Sequence, residues 1–210
     1  MQGRASSGCT PFFVARIVAD SCVGFVQGTR ATLAFSFPCV VAMNISKQIV
    51  GYLKTRALVL VSVETCTGGA MLADQRGAAG CLDLGYVAHA ATAIAALPGV
   101  SAPTIERDGL VSEAVAREAA EGALIKGVGR WGSASVALAS IGLLAHAEDE
   151  EDDAVSTVTH CFAWACIDNG RVLCASETVG FSGRRHEIRR SIARRALLGF
   201  PRFVDRVLAR

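Results

Sequence analysis

An aliphatic run, Leu58–Val63, that ends in a glycine-containing turn constrains the fold of this chain more than any other feature. Only Ser62 interrupts the run, which is typical of a strand buried on both faces of a sheet. The turn Glu64–Gly69 follows directly, and its two glycines let the backbone approach a ligand closely. Free N–H groups at the start of a following helix would attract an anion. We therefore expect a candidate ligand site at the end of a buried strand.

The remaining hydrophobic patterns supply the other layers of an α/β fold. The dipeptide Asn169-Gly170 lies between two β-rich runs and predicts a hairpin. Gly199 and Pro201 are expected to break or kink the last helix. Helices are predicted at 44–53, 71–75, 91–96, 113–126 and 184–210, and strands at 58–63, 85–90, 133–141, 157–167 and 172–181. Together they predict a three-layer α/β/α sandwich on a mixed β-sheet.

The composition excludes several classes of protein. No apolar stretch reaches the roughly 18 to 20 residues that span a bilayer, so no membrane segment is expected. A formal charge of +2 makes a nucleic-acid partner an unfavoured hypothesis. The arginine-rich segment 184–210 is interpreted as a solvated face, or as a partner surface for the acidic run Glu148–Asp153. Phe162, Trp131 and Trp164 are interpreted as core or dimer contacts.

The cysteines and the first residues of the chain give two further expectations. Eight cysteines form no C-x-x-C pair and no zinc-binding spacing, so we expect reduced thiols, no metal, no cofactor and a cytoplasmic location. Residues 1–42 hold one acidic residue and no lysine, and they show no helical or strand periodicity. They are expected to be a disordered extension or a mis-assigned start upstream of Met43, leaving one domain over 43–210.

Several segments carry a resemblance to a known family. Val63–Gly69 reads V-E-T-C-T-G-G and resembles the A-E-S-C-T-G-G motif of the CinA C-terminal family, the nicotinamide-nucleotide amidohydrolases. Similar segments follow in the family's order over the rest of 44–210. They are Gly85–Val87, Pro98–Val100, Asp108–Glu113, Ala119–Leu124, and Phe181–Gly183 with Arg185 and Arg189.

The resemblance implies hydrolysis of the carboxamide of nicotinamide mononucleotide to nicotinate mononucleotide and ammonia, with a homodimer as the expected assembly. Thr65 stands where the family has its serine nucleophile, and Ile94 stands where it has its lysine base. His89 replaces a family tyrosine and is the candidate substitute base. The residues expected to bind the ligand are Glu64, Cys66, Thr67, Gly68, Gly69, Ser140 and Arg185. Two hypotheses stay open: an amidase of impaired activity, and a catalytically silent homologue that binds a nucleotide or a protein.

Overall fold

The computed structural model describes residues 45–71, 78–131, 134–144 and 155–209, which all belong to one unit, Val41–Arg210. The expected extension 1–42, the acidic run 148–153 and most of the expected helix 71–75 lie outside these residues. The helices are α1 Ile45–Thr55, α2 Ala91–Ala95, α3 Ala102–Asp108, α4 Glu113–Trp131 and α5 Arg185–Leu208. The strands are β1 Leu60–Thr65, β2 Leu82–Ala88, β3 Val136–Gly142, β4 Val155–Asp168 and β5 Arg171–Arg184.

The five strands form one mixed sheet in the order β2-β1-β3-β4-β5. β1 runs parallel to both β2 and β3, whereas β3–β4 and β4–β5 are antiparallel pairs. All residues of β1 and β3 are buried, as expected for central strands covered on both faces. The hairpin between β4 and β5 turns at Asn169 and Gly170, both at positive φ, which confirms the predicted turn.

Helices cover both faces of the sheet. α1 and α5 pack on one face, where the apolar core includes Leu53, Leu60, Phe162, Ile192 and Phe200. α4 packs on the other face with residues of α2 and α3, and that core includes Val63, Ile94, Ala120, Leu124 and Ile141. The three-layer α/β/α sandwich on a mixed sheet is therefore confirmed.

α5 continues as one helix through Gly199 and Pro201, where a break or a kink was predicted. A Cβ atom at Gly199 would overlap the ring of Trp164, so the glycine provides room for that ring against the helix. The indole Nε1 of Trp164 donates a hydrogen bond to the carbonyl oxygen of Ala196 at 3.0 Å. α3 was not predicted, although Ser101 caps it by accepting a hydrogen bond from the N–H of Thr104.

Candidate functional site

The candidate site lies where β1 and β3 end side by side. β1 is followed in sequence by β2 on one side, and β3 lies on the other side, so the chain changes direction across the sheet between these two parallel strands. In open α/β sheets, ligands bind at the carboxyl ends of strands at such a switch point. The predicted turn 64–69 occupies this position.

The backbone of the turn adopts conformations that few residues tolerate. Gly68 and Gly69 have φ values of 65° and 84°, and Cys66 has a φ of 64° without being glycine. The N–H of Thr67 donates to the carbonyl oxygen of Thr65 at 2.7 Å. A left-handed non-glycine residue is uncommon and is often found at functional sites. Gly68 is exposed, so solvent reaches the backbone of the turn there.

The side chain of Thr65 is fully buried and bonded to β3. The N–H of Gly142 donates to Thr65 Oγ1 at 2.7 Å, and Oγ1 lies 2.8 Å from the carbonyl oxygen of Gly142 and 3.1 Å from that of Ser140. The hydroxyl thus accepts one hydrogen bond and donates its proton to a backbone carbonyl. Cys66 Sγ lies 2.9 Å from the same Gly142 oxygen, and burial raises the pKa of the thiol.

Glu64 is the acidic group of the turn and is fully buried. Its Oε2 accepts hydrogen bonds from Thr67 Oγ1 at 2.7 Å and from the N–H of Met71 at 3.3 Å. Burial raises the pKa of its carboxyl group, and the hydrogen bonds from Thr67 and the turn backbone oppose the shift. Oε1 is buried without a hydrogen-bond partner. Glu64 therefore stabilises the conformation of the turn through these hydrogen bonds.

A second buried polar pair lies beside Glu64. Ser140 is the β3 residue paired with Glu64, and its Oγ is 2.6 Å from Nε2 of His160 on β4. Burial lowers the pKa of His160 to about 4, which keeps the imidazole neutral at pH 7. A Cβ atom at Gly142 would overlap the imidazole, so this glycine makes room for it. The sequence predicted Ser140 as a ligand-binding residue but predicted no role for His160. That role depends on a neighbouring strand.

The other predicted residues occupy separate positions around the turn. His89 is exposed and lies beside Gly68, because a Cβ at Gly68 would be 3.8 Å from His89 Cε1. Among the described residues, no hydrogen bond joins His89 to Thr65. Ile94 is fully buried in the core on the α4 face. The positive charges of Arg189 and Arg185, at the start of α5, oppose the rise in the pKa of the Cys66 thiol.

Neither a metal-binding cluster nor a membrane-spanning helix is found among the described residues. The described part of the chain contains no group of three or more His, Cys, Asp or Glu side chains that could hold a metal ion. None of its helices is long and apolar enough to cross a membrane.

Comparison with known proteins identifies the family. Residues 42–204 match the profile of the CinA C-terminal domain. The nicotinamide-nucleotide amidohydrolase PncC of Escherichia coli K12 is 32 % identical over 158 residues, covering 74 % of this chain and 90 % of the relative. A solved CinA superfamily structure from Escherichia coli has a TM-score of 0.57 at 28 % identity, covering 74 % of this chain and 86 % of that one. Another, from Enterobacter cloacae, has a TM-score of 0.59 at 25 % identity, with coverages of 82 % and 96 %. This chain belongs to the CinA C-terminal domain family.

Proposed function

We propose that this protein binds nicotinamide mononucleotide, or a closely related nucleotide, at the turn 64–69 and hydrolyses its carboxamide much more slowly than its amidohydrolase relatives. The name of the relative PncC supports the substrate class. The observation that carries the proposal is the state of the Thr65 hydroxyl, which is fully buried and bonded to the backbone of Gly142 on both its donor and its acceptor side.

The reaction needs a nucleophile and a base that removes its proton. The hydroxyl of Thr65 donates its hydrogen bond to a backbone carbonyl oxygen, which is too weak a base to remove the proton. Ile94 has no basic group. General-base assistance is worth about 10²- to 10⁴-fold in rate, so its loss alone predicts a decrease of that order. His89 lies beside the turn but is not bonded to Thr65, and it would serve as base only after the side chains rearrange.

Several features of the turn support nucleotide binding. Gly68 is exposed at positive φ, so a ligand can approach the backbone of the turn there, and backbone N–H groups attract phosphate or a carboxamide oxygen. Arg185 and Arg189 add positive charge on the α5 side of the turn. We assign the phosphate to this side, because guanidinium groups bind phosphate oxygens in pairs.

Two measurements separate binding from catalysis. Calorimetry with nicotinamide mononucleotide should show binding, and an ammonia-release assay should show a rate at least about 10²-fold below that of PncC from Escherichia coli measured in parallel. The Thr65→Ser variant keeps the hydroxyl and is the matched control for Thr65→Ala. Turnover equal to that of PncC and abolished in Thr65→Ala would refute impaired catalysis. An absence of binding would refute the proposed ligand and leave the protein-interaction hypothesis.

The assembly and location form a separate part of the proposal. We expect a homodimer in the cytoplasm, in line with the family resemblance and with five described cysteines, Cys66, Cys81, Cys161, Cys166 and Cys174, that are all free thiols. Light scattering coupled to size-exclusion chromatography tests the assembly, and a monomer at micromolar concentration would contradict it.

A further inference from the structure

Hydrogen bonds within the turn use most of its backbone donors. The N–H of Thr67 donates to the carbonyl oxygen two residues earlier at 2.7 Å, and the N–H of Ala70 donates to the carbonyl oxygen of Thr67 at 3.2 Å. The N–H of Met71 donates to Glu64 Oε2 at 3.3 Å, and the backbone of Gly69 is also hydrogen-bonded to this carboxyl group. The chain itself therefore engages the backbone donors on both sides of position 68.

Gly68 lies between these engaged donors and differs from them. Among the described residues, no hydrogen bond engages its N–H group, and the residue is exposed. The atom nearest to a Cβ built at this position is His89 Cε1, at 3.8 Å, which leaves room for a ligand atom. Phosphate sites made of backbone use several successive N–H groups, whereas one N–H suits a single carbonyl oxygen. The turn is thus better matched to a neutral carbonyl group than to a phosphate.

The buried side of the turn carries a negative charge. Glu64 is fully buried, and its Oε2 is bonded to Thr67 and Met71, which stand on either side of Gly68 in the sequence. A carboxyl group that accepts several such hydrogen bonds is favoured in its ionised form. Its Oε1 has no hydrogen-bond partner, and no salt bridge within the described chain joins Glu64 to a basic residue. No counter-ion therefore neutralises this charge.

Hydrolysis of the carboxamide changes the charge of the group that would meet the turn. Water supplies the new oxygen, and the nitrogen leaves as ammonia, which takes up the released proton as ammonium. The neutral carboxamide of the substrate thus becomes a carboxylate, while the pyridine ring, the ribose and the phosphate stay the same. Substrate and product differ only at this group, and the product carries one more negative charge there.

We propose that the N–H of Gly68 binds the neutral carbonyl oxygen of the substrate carboxamide, and that the buried carboxylate of Glu64 repels the carboxylate of the product. This inference rests on the proposed function, since it states how the same site distinguishes its substrate from its product. An oxygen bound at Gly68 would lie about two hydrogen-bond lengths, roughly 6 Å, from the charge of Glu64. Repulsion between like charges at that separation should weaken product binding at least about tenfold.

The test compares three nucleotides by calorimetry with the wild type at about pH 8. They are nicotinamide mononucleotide, nicotinate mononucleotide, and the methyl ketone analogue, which keeps the carbonyl oxygen but has no amide nitrogen. The amide should bind at least about tenfold more tightly than the carboxylate. The ketone should bind like the amide, because both present a neutral oxygen to Gly68. These comparisons need no variant.

Two variants assign the discrimination to a residue. Glu64→Gln removes the charge but keeps an acceptor oxygen for Thr67 and Met71, and it should bind the amide and the carboxylate about equally. Glu118→Gln is the matched control, because Glu118 also accepts hydrogen bonds from a threonine hydroxyl and a backbone N–H, but between α3 and α4. It should keep the discrimination of the wild type. Circular dichroism and thermal midpoints show whether each variant is folded.

Several outcomes would overturn the inference while leaving the proposed function in place. They are equal wild-type affinities for amide and carboxylate, a ketone that binds as weakly as the carboxylate, a preference for the amide that persists in folded Glu64→Gln, or an equal loss of preference in Glu118→Gln. The second would indicate recognition of the amide nitrogen, and the third a source of discrimination other than Glu64. If the wild type binds none of the three nucleotides, the proposed function and this inference are both refuted.

Discussion

His160 should make the stability of this protein decrease in mild acid. Its imidazole is buried against Ser140 and Gly142, and burial lowers its pKa to about 4 from an ordinary value of 6.5. Between these two values, the unfolded chain binds a proton that the folded protein does not. Stability is therefore unaffected by His160 above pH 6.5, falls as the pH decreases towards 4, and changes no further below that.

The size of the effect follows from the two pKa values. Each pH unit between them removes about 1.4 kcal/mol, so the wild type should lose about 2.5 kcal/mol between pH 7 and about pH 4.5 through this group. A His160→Gln variant keeps a polar side chain of similar length but does not titrate. We expect it to be less stable than the wild type at pH 7, because its packing and its hydrogen bond to Ser140 are altered.

Urea unfolding at several pH values tests this prediction. The gap in unfolding free energy between wild type and His160→Gln should close by about 2.5 kcal/mol on going from pH 7 to about pH 4.5. Comparison of the two proteins cancels the other titrating groups. His186→Gln changes an exposed histidine on α5 and is the matched control. A gap that stays constant with pH would refute the assignment of a neutral, buried His160.

Other substitutions test the packing and the turn. Gly199→Ala should lower the unfolding free energy by about 1–3 kcal/mol in urea titrations, because the added methyl group overlaps Trp164. Gly51→Ala lies on an exposed part of α1 with no atom nearby, and it should raise the unfolding free energy by up to about 1 kcal/mol. Equal effects of the two would contradict the close contact. Glu64→Gln should become more stable relative to the wild type as the pH rises above about 4.5. Burial raises the pKa of Glu64, so the stability that this residue contributes is lost as its carboxyl group ionises. Urea unfolding at about pH 5 and pH 8 checks the sign of the effect.

Local sequence patterns predicted the elements whose determinants are local. β1 follows from an aliphatic run interrupted only by Ser62, the β4–β5 turn from Asn169-Gly170, and α4 from its helical periodicity. α5 was predicted to break or kink at Gly199 and Pro201, because the neighbour for which Gly199 makes room cannot be identified from the local sequence. That neighbour, Trp164, lies on β4, thirty-five residues earlier.

The candidate site likewise combines features that follow from consecutive residues with features that depend on a neighbouring strand. The position of the turn and its glycines follow from consecutive residues, and the structure places them at the carboxyl end of β1 as expected. The state of Thr65 could not be predicted, because it depends on where Gly142 of β3 lies beside it. His160 was missed for the same reason: a single histidine in an apolar strand shows its role only when Gly142 of β3 is placed opposite it and Ser140 within hydrogen-bond distance.

The hydroxyl of Thr65 also continues the ladder between two strands. Backbone pairing of β1 with β3 extends to Glu64 and Ser140, and the next link is made by the Thr65 side chain to Gly142. A side chain thus replaces a main-chain rung at the point where the strands separate. Serine or threonine at position 65 satisfies this structural need, and alanine does not. A hydroxyl residue would therefore be retained at position 65 by folding alone, so its presence in a protein of this fold is no evidence that the protein is an active hydrolase.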